Sequence, residues 1–137
     1  MPHPSRPVSL SCATVALELV LAAAGNDPDV RTVVLLELPC GGGIAAPLAG
    51  GDGSCAEAER FADALVTGLG ARPCRVVVAS LRPGGEPVIA EDDLAAWRRL
   101  CRRFADRSVE LLDWFVVIDE VAMSLASIVA PPTAWHR

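Results

Sequence analysis

Residues 76–125 read VVVASLRPGGEPVIAEDDLAAWRRLCRRFADRSVELLDWFVVIDEVAMSL, and this stretch decides the fold class. Arg75 to Ser80 is a short apolar run around Val76-Val77-Val78, the pattern of a strand buried on both faces. Pro83, Gly84, Gly85 and Pro87 break the chain into a loop. From Glu91 to Arg107 the period becomes helical, with Leu94, Trp97, Leu100, Cys101 and Phe104 on one stripe. Leu111 to Ile118 and Val121 to Leu125 then predict a hairpin across Asp119-Glu120.

Working upstream, Val30 to Leu38 is a second continuous apolar run, bounded by Pro28 and Pro39, and predicts another buried strand. Ile44 to Ala49 predicts a short strand that Pro47 confines to an edge or a bulge. Ser54-Cys55-Ala56-Glu57 has the spacing of a capping box and opens a helix to Leu69, with Phe61, Leu65 and Leu69 inward. Ser11 to Ala24 predicts a helix closed by Gly25-Asn26; it is apolar on nearly every side, so cover all round is expected. Glu18 in its middle argues against a secretory leader, and the run falls short of the ~20 residues of a membrane span. Strands and helices alternate, so the class is α/β (mixed α+β): a single-domain mixed β-sheet flanked by helices. The expected organisation is an extended arm over 1–7, the domain over 8–130 and a tail over 131–137.

The chain has 137 residues, 52% of them hydrophobic, which excludes disorder and suits one domain. A net charge of −5 argues against a broad nucleic-acid or acidic-membrane surface. Cys12, Cys40, Cys55, Cys74 and Cys101 form no C-x-x-C pair, which fits reduced thiols in a cytoplasm and neither a disulfide framework nor a zinc ribbon. His3 and His136 are the two histidines, so no interior imidazole can serve as base in a Ser-His-Asp or Cys-His set. Gly50 to Ser54 precedes a helix start, as a phosphate cradle would, but no G-K-[ST] follows and no acidic residue ends the next strand. A turn feeding a capped helix explains it better. Glu91, Asp92 and Asp93 open the next helix and arginines close it, the arrangement the helix dipole favours. Arg99 and Arg103 on that helix, with Trp114 and Trp135, are the candidate interface residues, while Trp97 falls on the core stripe.

The order from Val76 to Leu125 resembles the RadC-like branch of the JAB/MPN (JAMM) domain family. In that family a buried strand ends in His-x-His-Pro-Ser-Gly, a loop carries Pro-Ser-x-x-Asp, and a helix with paired basic residues follows. Leu-Leu-Asp-His and an apolar strand ending in a turn come next. Pro83, Gly85, Pro87, Asp93, Arg98, Arg99, Leu100 and Leu111-Leu112-Asp113 fall in register with it, and Asp29 lies near the family's upstream acidic residue. The resemblance implies a cytidine-deaminase-like architecture and an old association with DNA repair. It also implies a zinc site of two histidines and an aspartate, where bound water loses a proton near pH 7. This chain departs from that set. Asp93 matches the aspartate, but Ser80 and Arg82 stand at the histidine positions, Gly84 and Ala90 at the motif serines, and Trp114 at the histidine after Leu-Leu-Asp.

A hydroxyl is a poor zinc ligand and a guanidinium repels a cation. The expectation is therefore a vestigial cleft of Asp29, Ser80, Arg82 and Asp93, with an Arg82–Asp93 salt bridge in the metal's place. No cofactor and no zinc are expected, and the role is binding of a protein partner or self-association. The alternatives are a zinc hydrolase of metallopeptidase or isopeptidase type using Asp29, Asp93 and either Cys74 or a displaced residue, and a phosphate or nucleotide binder using Arg82 with the Gly50–Ser54 turn.

Overall fold

The computed structural model describes residue 10 and residues 12–25, 27–39, 41–70 and 72–129. Its elements in chain order are α1 (Ala13–Ala24), β1 (Val30–Glu37), β2 (Gly43–Ala49), α2 (Cys55–Gly68), β3 (Cys74–Arg82), α3 (Glu91–Ala105), β4 (Val109–Ile118), β5 (Val121–Ser124) and α4 (Leu125–Val129). The strands form one mixed sheet in the order β2-β1-β3-β4-β5. β1 is antiparallel to β2 and β3, β3 and β4 are parallel, and β5 returns antiparallel to β4. The α/β expectation thus holds, as a five-stranded mixed sheet between helices.

The two apolar runs are the sheet's centre, and their side chains alternate between two cores as a pleated strand requires. Val34, Leu36, Val76, Val78, Trp114 and Val116 pack with Ala62 and Val66 of α2, Leu100 and Phe104 of α3, and Leu125 of α4. Val33, Leu35, Val77, Ala79, Leu112 and Phe115 pack on the other face, with Leu10 and with Ala16, Val20 and Ala24 of α1. β2 lies at the sheet edge, the first of the two placements expected from Pro47. The backbone bond from Leu38 N to Gly42 O (2.8 Å) sets the alternation, so Ile44, Ala46 and Leu48 turn their backbone groups to β1. Pro47 therefore falls in the outward row, where its missing N–H leaves no ladder bond unmade.

Two sequence expectations change. α1 is not covered all round: Ala16, Val20 and Ala24 are buried, whereas Leu21 is 50% exposed. It is an outer-layer helix with one face on the sheet, so its near-uniform apolarity did not translate into burial. The second change is α4, which the hairpin reading missed. The register of β4 against β3 slips between Leu111 and Asp113, so that Leu112 is the extra residue of a bulge and Asp113 pairs with Val77. The Asp113 carboxylate oxygens accept from Ser124 Oγ (2.6 Å), Ala126 N (3.2 Å) and Trp114 N (2.7 Å), so a buried carboxylate starts the helix where β5 ends. The expected 1–7 arm and 131–137 tail, with Trp135, lie outside the described residues.

The hairpin turn is as expected, with φ of +47° at Asp119 and +69° at Glu120. Both central residues are left-handed, the geometry of a two-residue type I′ turn in which glycine is favoured at the second position. Glu120→Gly is therefore expected to stabilise the protein by about 1 kcal/mol. Urea unfolding checks it: the midpoint should rise with an unchanged slope.

Candidate functional site

Arg82 is the last residue of β3, at the carboxyl end of the parallel pair β3–β4, the end at which open α/β sheets commonly take ligands. Asp93 stands in the first turn of α3 and is 2% exposed. The two meet in a fork: Arg82 Nη2 reaches Asp93 Oδ1 at 2.6 Å and Nη1 reaches Oδ2 at 3.1 Å. The remaining edge of the guanidinium donates from Nε to Gly53 O (3.0 Å), and Asp93 Oδ2 also accepts from Ala90 N (3.1 Å). Ala90 has no side-chain acceptor, so Asp93 alone caps that helix start. Burial pushes the Asp93 carboxyl up, but the Arg82 hydrogen bonds, the Ala90 N–H and the Arg82 charge outweigh it and hold it below the usual carboxylate range. The salt bridge expected from the sequence is present.

Behind this pair, Ser80 and Trp114 are both fully buried, and Trp114 Nε1 donates to Ser80 Oγ at 3.0 Å. Trp114 therefore does not offer an interface. Its alternation on β4 turns it into the core under α2 and α3, where its one polar atom finds the serine.

The Gly50–Ser54 turn closes the site on the α2 side. Ser54 Oγ accepts from Glu57 N (3.2 Å), the first half of the expected capping box. The reciprocal half is absent, because Asp52 Oδ1 already takes Ser54 N (2.9 Å) in an Asx turn. The Glu57 carboxylate turns instead to Asp52 N (3.3 Å) and to the buried Thr32 Oγ1 (3.4 Å). A Cβ at Gly51 would overlap that carboxylate, and one at Gly53, where φ is +74°, would come within 3.0 Å of Leu81 O. These glycines let the turn lie against β3 and around Glu57. Cys55, first in α2, has its thiol pushed up by burial and by the Asp93 charge, with Arg82 opposing, so it stays protonated at neutral pH. Sequence reasoning passed over Glu57's contacts and Cys55's neighbours, because neither belongs to the motif that drew attention to Asp93.

The other expected residues are not gathered here. Asp29 is exposed in the turn before β1, and its hydrogen bonds run through its backbone, to Asp27 Oδ1 and from Gly50 N. Cys74 begins β3 while Arg82 ends it, about 26 Å away at strand rise. A zinc site combining Cys74 with Asp93 is therefore excluded by geometry. Nor do Ser80 and Arg82 suit a metal, since the serine is turned to an indole and the guanidinium lies on the carboxylate that would be a ligand. Among the described residues no group of three or more His, Cys, Asp or Glu side chains is placed to hold an ion.

Arg99 and Arg103 are committed within the chain. Arg99 pairs with Glu59 (2.9 Å), Arg103 with Asp63 (3.2 Å), and Arg107 reaches Thr67 Oγ1 (2.8 Å). Each pair is separated by 40 residues, so α2 and α3 lie side by side and parallel, their matching i, i+4 rows face to face. That match, Glu59-x₃-Asp63-x₃-Thr67 against Arg99-x₃-Arg103-x₃-Arg107, was the signal available in the sequence.

Asp93→Ala, which strands the Arg82 guanidinium, is expected to cost about 3 kcal/mol of unfolding free energy. In a double-mutant cycle with Arg82→Ala the two losses should fall short of additivity by more than about 1 kcal/mol. A depressed carboxyl contributes stability that is present above its unfolded value of about 3.9 and lost as pH falls through the folded value. The urea midpoint should accordingly drop below about pH 4, and Asp93→Asn should flatten that drop. Ser80→Ala leaves the Trp114 N–H without its acceptor and should cost roughly 1–3 kcal/mol in the same measurement. Arg103→Ala removes only a surface pair and should cost under about 1 kcal/mol.

Comparison of the chain with family models, with curated proteins and with solved structures finds no match.

Proposed function

We propose that this chain is a RadC-like JAB/MPN domain that has lost its metal site and works without catalysis, binding a protein partner or a second copy of itself in the cytoplasm. The observation that carries the reading is the Arg82–Asp93 fork. The residues standing where the resembled family keeps its ligands are spent on one another: a cation neutralises the one matching carboxylate, and Ser80 holds the indole of Trp114. The order of the elements supports it too, since a buried strand, a proline-glycine loop, an arginine-bearing helix, a Leu-Leu-Asp strand and a tight turn follow in the sequence that the resemblance implies. Among the described residues no helix is long and apolar enough to cross a membrane. The link to DNA repair is an analogy at the level of fold and stays subordinate to the site.

Elemental analysis of protein purified without added metal tests the lost metal. Less than about 0.1 equivalent of zinc is expected; one equivalent, lost on Asp93→Ala, would establish the hydrolase alternative instead. The resemblance has its own test. Ser80→His, Arg82→His and Trp114→His together restore the imidazoles and make room for them, and a triple variant that folds by circular dichroism should take up about one equivalent of zinc. A folded variant indifferent to zinc would sink the family reading. Light scattering across a concentration series separates self-association from partner binding: a mass that stays at one chain refutes the former.

A further inference from the structure

We draw no further inference here: the strongest candidate, the glycine-rich cradle of Gly50–Ser54 at the N-terminus of α2, carries nothing because its Asp52 and Ser54 N–H groups already hold the chain's own Glu57 and Asp52 carboxylates and no second observation points to a ligand.

Discussion

A guanidinium taken largely out of water must have its donors met, and Arg82 meets that requirement with three elements at once. Its fork fixes Asp93 and so the start of α3; its Nε fixes Gly53 and so the turn into α2; its own backbone is the end of β3. The loop of residues 50–54 and the first turn of α3 are distant in sequence, and Arg82 bonds to both. The directionality of the hydrogen bonds constrains their spacing, because a bidentate pair tolerates little displacement. Removing either charge leaves the other buried and alone, which is why the pair acts as a single constraint.

The same logic recurs at the far edge of the sheet with the sign reversed. Asp113, next to the bulge in β4, is buried at 1% exposure, and its carboxylate accepts from Ser124 Oγ and Ala126 N. Both carboxylates sit at helix starts, where backbone N–H groups are short of partners. Between them the α2–α3 ladder runs along the outside of one core, with its arginines half exposed. Such pairs contribute little to stability individually and mainly align two helices that Val66, Leu100 and Phe104 already hold together.

Much of this was legible beforehand. The strand runs at Val30 and Arg75, the edge position of Pro47, the helix beginning after Ser54, the stripe of α3 and the turn at Asp119-Glu120 all follow from period and turn chemistry. The Arg82–Asp93 pair was legible too, through a resemblance that placed a cation beside a carboxylate. What went astray shares a cause. Trp114 as a candidate interface residue, α1 as covered all round, and Cys74 as one option for a ligand beside Asp93 each depend on which face or end of the sheet a side chain occupies. A one-residue bulge, an outer-layer position and the length of β3 decided those matters, and none of them is a local property.

By itself the sequence determined the alternation of strands and helices, which strands are buried, and the residue types that stand at each position of the resembled site. Local period, glycine and proline set these, because they act within a few residues. Only the tertiary structure decided that β1 runs antiparallel to β3, that Asp113 lies at a helix start, and that the Glu57 carboxylate turns into the glycine turn. The last two outcomes depend on which polar groups find partners across 11 and 25 residues of chain, and a partner is chosen by geometry only when the layers have closed.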